Sequence, residues 1–342
     1  MAERMGKQTA RLARPPRVES FAACVGKKEG HGPLGGLFDA VHEDDTLGQE
    51  NWERAESMLF ADAVKLCIEK QRLQPADVRF LLGGDLLNQL AASCFAGRDL
   101  GIPFLGLFGA CSTMAESLAV GAMILEGGCA DRLVCAVSSH FCTAERQFRF
   151  PLELGTQRPP SAQWTVTGSG AVMLHEQDMA AGAYPIVTHV TVGKPVDFGV
   201  TDANNMGAAM APAAAATIRQ HMLDTSRDAR DYDFIVTGDL GMVGSELLKE
   251  LLKKEGMELP QRKHIDCGLQ IFSPEQDAHA GGSGCGCSAS VLCAKLLPEM
   301  IAGRIHRMLF VATGALMSTT TGNEGESIPG IAHAVAFERM EA

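Results

Sequence analysis

Aromatic side chains are scarce in this chain, making up 6% of its 342 residues, with only two Trp and two Tyr. A core built largely without them must be filled by Ala, Val, Leu and Gly, which let helices and sheets approach closely and favour a layered α/β body. Basic charge is short as well: 30 Lys and Arg stand against 41 Asp and Glu, for a net charge of −11. No basic stripe is visible, which argues against a nucleic-acid backbone as partner. The eleven cysteines contain no Cys-x-x-Cys pair, their number is odd, and no secretory signal precedes them. A disulfide framework or structural zinc site is therefore not expected, and a reducing cytoplasm fits best. Cys285 and Cys287 have a poor zinc spacing, and the glycines around them suggest a tight turn. No apolar run reaches the ~18 residues needed to span a bilayer. The richest, Met206 to Ile218, is rich in small residues and carries Pro212. A soluble protein is expected.

What is present is an internal duplication. The stretch from Phe80 to Leu86, FLLGGDL, corresponds to FIVTGDL from Phe234, so that Asp85 pairs with Asp239. CSTMAES from Cys111 corresponds to CSASVLC from Cys287, and the strand Arg132 to Val137 to Arg307 to Ala312. The closing strands Ala171 to Glu176 and Ala334 to Glu338 match, and the opening strand Pro185 to Val192 resembles the one near Ala22. Five strands per half, with mostly strand–helix–strand connections and continuous apolar strands, predict two mostly parallel five-stranded sheets sharing inner helices in a five-layer body. The halves are expected at 1–180 and 181–342, with the join between His175 and Pro185. Met1 to Pro16, basic and ending in two prolines, reads as a loosely held tail.

The stretch Gly109 to Gly128 is where the chain converges. Ala115, Leu118, Ala119, Ala122, Met123 and Leu125 recur at helical spacing, and Cys111 stands where the preceding apolar run stops and that helix begins. A helix N-terminus favours a thiolate or a bound anion. A small buried hydrophobe fits the same position. In open α/β sheets the loops at the carboxyl ends of strands carry the site, so the Cys111 turn and the two GDL turns are expected to meet. For Asp85 and Asp239 a helix N-cap and a ligand role both remain open.

Nine ordered stretches, GPLGGLFD, GGDLLNQ, LFGACST, SSHFCTAERQFRFP, TVTGSGAV, MGAAMAPAAA, HIDCGL, AGGSGCGCSA and VATGALMS, resemble the stage V sporulation protein AD family, within the thiolase and ketoacyl-synthase superfamily. The resemblance implies a thiolase-like fold and no cofactor. It also implies a protein that binds dipicolinic acid or its calcium chelate, and works with a spore membrane channel from the cytoplasmic side of the forespore inner membrane, peripherally bound and not spanning. By analogy of fold, a homodimer is expected. Condensing enzymes of the superfamily activate their cysteine with two histidines or a histidine and an asparagine. Here VTGDLG puts Gly238 or Asp239 at one of those places, and GGSGCGCSA offers neither Asn nor His at the other, so binding without catalysis is expected. Besides Cys111, the candidate ligand-binding residues are Asp85, His140, Asp239, His279 and Arg149, with Arg146 beside the last, and no metal is assigned. An acyl-transfer enzyme using Cys111, and a purely structural partner of membrane proteins, stay open as other readings.

Overall fold

The computed structural model describes residues 2–148, 158–176 and 183–340. In the first half the core strands are β1 (Arg17–Gly26), β2 (Phe80–Gly84), β3 (Phe104–Gly106), β4 (Arg132–Ser139) and β5 (Gly168–His175). In the second they are β6 (Tyr184–Thr191), β7 (Phe234–Thr237), β8 (His264–Asp266), β9 (Arg307–Ala315) and β10 (Gly330–Met340). The sheet order runs β3-β2-β4-β5-β1 and then β6-β10-β9-β7-β8. Each half thus reads third, second, fourth, fifth, first from its outer edge, which is the duplication written in space. The two sheets touch through β1 and β6, at the single antiparallel pair Arg17 and Ile186.

The expectation of mostly parallel sheets needs refinement. In each half the edge pairings are parallel, β2 with β3 and β4, and β7 with β8 and β9. The closing strand runs against both of its neighbours, β5 between β4 and β1, and β10 between β9 and β6. Four strands of each sheet share a direction and one is reversed. Antiparallel neighbours need no helical crossover, which frees the connection after β4 to build the site.

Alternation along the strands assigns the layers. On β4, Leu133, Cys135 and Val137 enter a central core, while Val134 and Ala136 enter an outer one. On β9, Met308, Phe310 and Ala312 face the same central core and Leu309 and Val311 the other outer core. Helices α1 (Trp52–Glu69) and α2 (Ala91–Leu100) cover the first sheet. Between the sheets lie α3 (Thr113–Glu126) and, further along the chain, α7 (Cys285–Val291). The second sheet is covered by α5 (Met206–Thr225) and α6 (Gly241–Lys254); α4 (Phe141–Phe148) follows β4. The result is five layers. Cys285 and Cys287 lie not in a turn but in the first turn of α7, after Gly284 at φ 101°.

The N-terminus departs from expectation. Glu3–Met5 and Thr9–Arg11 form a hairpin whose second strand pairs with β6, Thr9 opposite Thr191 and Arg11 opposite His189. The Asp224 carboxylate fixes its turn by accepting from the backbone N–H groups of Lys7 and Gln8. The free edge of β6 supplies ladder partners that outweigh the prolines of the segment.

Candidate functional site

Cys111 is delivered by a turn held by its own hydroxyls. Ser112 donates to the Gly109 carbonyl and Thr113 to the Ala110 carbonyl, both at 2.7 Å, and Ala110 adopts φ 50°. That left-handed residue, unusual for a side chain, turns the chain from strand to helix in one step and directs Cys111 toward the second half. Gly314 of β9 comes so close that a Cβ there would lie 2.3 Å from the Gly109 carbonyl oxygen. Only glycine permits this approach, and it brings Thr313 and the Gly238–Asp239 turn to the cysteine.

The buried Cys111 thiol faces the Asp239 carboxylate, and the Gly284 amide also faces the sulfur. Asp239 is fully buried. Its Oδ2 accepts from the Gly284 N–H at 2.8 Å and the Ser283 hydroxyl at 3.2 Å, and its Oδ1 from the Thr313 hydroxyl at 2.9 Å. Burial pushes the carboxyl up to about 6, against the pull of these donors. The same burial, followed by the negative charge of Asp239, raises the Cys111 thiol well above its ordinary value. Placement before a helix N-terminus does not yield a thiolate here. The desolvation cost and the adjacent carboxylate exceed the favourable end of the helix dipole.

One cavity reaches the cysteine and a second adjoins the first. An inner one of about 50 Å³ is lined by Cys111, Ala110, Phe108 and Met206 among others, with Glu145 its one charged lining residue. An outer one of about 440 Å³ is rimmed by Thr201, Ser318, Thr319, Thr321, Asn323 and Glu326. Phe148 and Met317 line both and separate them. Among the described residues no Lys, Arg or His lines either chamber, and no group of three His, Cys, Asp or Glu could hold a metal ion.

The other candidates separate. Asp85 is buried, but its Oδ1 accepts from the Leu87 N–H and its Oδ2 from both the amide and hydroxyl of Ser93, so that it closes the loop into α2. Its neighbour is Glu56, and burial raises both carboxyls, that of Glu56 to about 8. His140 is not brought to Cys111. Its Nδ1 accepts from the Cys142 N–H at 3.1 Å, its Nε2 donates to the Asp45 carbonyl at 2.8 Å, and Trp52 packs on it. Burial holds it below its ordinary range, a satisfied neutral core histidine. His279 faces the Pro159 carbonyl and Asp277 at the surface, tying two loops together. Arg146 pairs with Glu53, and Arg149 lies outside the described residues. Sequence reasoning missed Ser283, Gly284 and Thr313 as carriers of Asp239, and Met206 and Met317 as walls, although four of those five lie in AGGSGCGCSA and VATGALMS.

A five-layer duplicated α/β body with a cysteine turn at the head of an inner helix defines the thiolase-like class. Solved structures agree on the fold. A 3-oxoacyl-[acyl-carrier-protein] synthase III from Aquifex aeolicus superposes with a TM-score of 0.55 at 11% identity, over 94% of this chain and 99% of that one. An OleA variant from Xanthomonas campestris gives 0.59 at 12% identity, over 96% and 99%. Within the class the chain belongs to the stage V sporulation protein AD family, whose model matches residues 6–338. The stage V sporulation protein AD of Bacillus subtilis is 48% identical over 334 residues, 98% of this chain and 97% of that protein.

Proposed function

We propose that this sporulation-family protein is a non-catalytic binder of dipicolinate, taken as its calcium chelate in the outer chamber above Cys111, and that it hands this cargo to membrane channel proteins of the spore. The observation that carries the reading is the Cys111–Asp239 pair. A condensing enzyme needs a base to form the thiolate and donors for an oxyanion. A carboxylate beside the sulfur opposes the thiolate and would repel an enolate.

The form of the cargo follows from the walls. An inner cavity of about 50 Å³ has room for water and not for an aromatic diacid, whereas about 440 Å³ falls within the usual size of ligand sites. A free dianion in the outer chamber would meet Glu326, and no Lys, Arg or His among the described residues lines that chamber. A one-to-one calcium chelate is neutral, and calcium accepts six to eight oxygen ligands, more than the diacid supplies. Hydroxyls of Ser318, Thr319 and Thr321 and the Asn323 amide suit the remainder. Among the described residues no helix is long and apolar enough to cross a membrane, so membrane work is assigned to partners. Calorimetric titration of the isolated protein with dipicolinate, with and without calcium, tests the reading: heat with calcium and little without it supports it, and no heat in either case leaves a structural role as the better account.

A further inference from the structure

A larger cavity lies elsewhere and has the opposite character. A cleft of about 540 Å³ opens between the N-terminal hairpin and the β6–β10 pair, lined by Arg11, Arg227, Thr188, His189, Glu338 and Glu3 among others. It belongs to a basic corner of an acidic chain, since residues 2–17 hold five Arg or Lys and a single Glu.

His189 is 5% exposed and borders the cleft. Thr188 donates its hydroxyl to Glu338 at 3.2 Å, so its oxygen accepts from His189 Nδ1–H at 2.9 Å. That fixes the neutral tautomer and leaves Nε2, engaged by no hydrogen bond among the described residues, as a lone pair on the cleft. Arg227 spends Nη1 on Glu338 at 2.9 Å and on the Tyr232 hydroxyl at 3.2 Å, leaving the rest of its fork. Arg307 also leans on Glu338, at 3.5 Å, so two arginines already neutralise that carboxylate. Among the described residues Arg11 has an ion pair with Glu3 alone, at 3.7 Å, a largely exposed pair of little strength.

We propose that this cleft binds a small divalent oxyanion, a phosphate or a dicarboxylate, between Arg11, Arg227 and His189. Guanidinium forks match both chemistries. The groups facing His189 are Arg227, Glu338, Arg11 and Arg307, with His221 at 6.3 Å between ring centroids. Burial and then Arg227 hold His189 down to about 4. An anion offsets that field and lets Nε2 take a proton and donate to the ligand, so the His189 midpoint rises in the complex and binding gains this contact as pH falls through that raised midpoint. This site stands apart from the Cys111 chambers and needs no calcium.

The test uses the full chain, with inorganic phosphate and malonate as separate probes. The His189 Cε1–H resonance, assigned with His189→Gln, is followed against pH by NMR in chloride and in each probe. Its midpoint should rise by about one unit or more with a bound anion. Arg11→Gln, on an exposed side chain, should weaken binding roughly tenfold, the loss of one charge-assisted contact, and Cys111→Trp should leave it unchanged. Response to one probe alone identifies the ligand class. An unmoved His189 midpoint in both probes, or equal affinity in Arg11→Gln, overturns the proposal.

Discussion

The Cys111 thiol and the Asp239 carboxylate meet across the boundary between the two halves, Cys111 from the head of the inner helix of the first repeat and Asp239 from the turn after the second strand of the other. Asp239 is held by Gly284 N–H and the Thr313 hydroxyl, so its orientation is fixed before any ligand arrives. A nucleophile with a proton acceptor this acidic stays a thiol at neutral pH.

Iodoacetamide should accordingly label Cys94 and Cys129, both exposed, well before Cys111 at pH 8. Peptide mapping by mass spectrometry reads the order. Asp239→Asn removes the charge that opposes the thiolate and should speed labelling of Cys111. A wild-type Cys111 that reacts first would mark an activated nucleophile and return the acyl-transfer reading.

Gly314→Ala should destabilise the fold by about 2 kcal/mol or more, because its Cβ would meet the Gly109 carbonyl oxygen at 2.3 Å and push β9 from the cysteine turn. Chemical denaturation checks the size. Gly322→Ala, where nothing stands within 4 Å, is the control and should be nearly neutral.

Stability should fall as pH rises from about 6.5 to 8.5. Burial raises Glu29 to about 7, Glu56 to about 8, Asp239 to about 6 and Asp266 to about 7. The folded chain binds these protons where the unfolded chain, with carboxyls near 4, has lost them, so their contribution is full below about 4 and disappears as pH passes 6 to 8. The buried histidines act on the other side. His189, His264 and His333 are held at about 4 and His221 at about 3, so stability is lost as pH drops below the unfolded value near 6.5. Glu56→Gln mimics the protonated carboxyl beside Ser138 and Thr143. It should flatten the alkaline decline, with a gain of about 1–3 kcal/mol at pH 9. Thermal melts across pH measure it, and an unchanged slope would show that Glu56 is ionised throughout.

Strand β3 forms the outer edge of the first sheet, and Leu105 and Phe108 beside it are 43% and 47% exposed. An edge of this kind invites pairing with a second copy about a twofold axis. Light scattering should give a dimer mass for the wild type and a monomer for Leu105→Arg. A wild-type monomer at micromolar concentration would remove the homodimer from the account.

The duplication was legible because continuous apolar strands and a near-constant spacing between repeats survive in the residues themselves. Cys111 and Asp239 could be placed for the same reason, since each ends a strand that the pattern locates. His140 misled because its two partners are backbone groups, the Asp45 carbonyl and the Cys142 N–H, which leave no trace in side-chain chemistry. Asp85 has the right position in its repeat but turns inward to Ser93. The hairpin at Thr9–Arg11 escaped because its partner β6 lies some 180 residues on, at a separation local patterning does not span. The reversal of β5 and β10 was hidden likewise, for an apolar strand looks the same read in either direction.

The most direct test of the central claim is calorimetric titration of calcium dipicolinate into the wild type, Cys111→Ser and Cys111→Trp. Ser keeps the size and a hydrogen-bond donor, whereas Trp overfills the inner cavity of about 50 Å³ and drives Phe148 and Met317 into the outer chamber. The account predicts near wild-type affinity for Cys111→Ser and a loss of roughly tenfold or more for Cys111→Trp. Equal, wild-type binding by both variants would place the ligand away from Cys111 and contradict it.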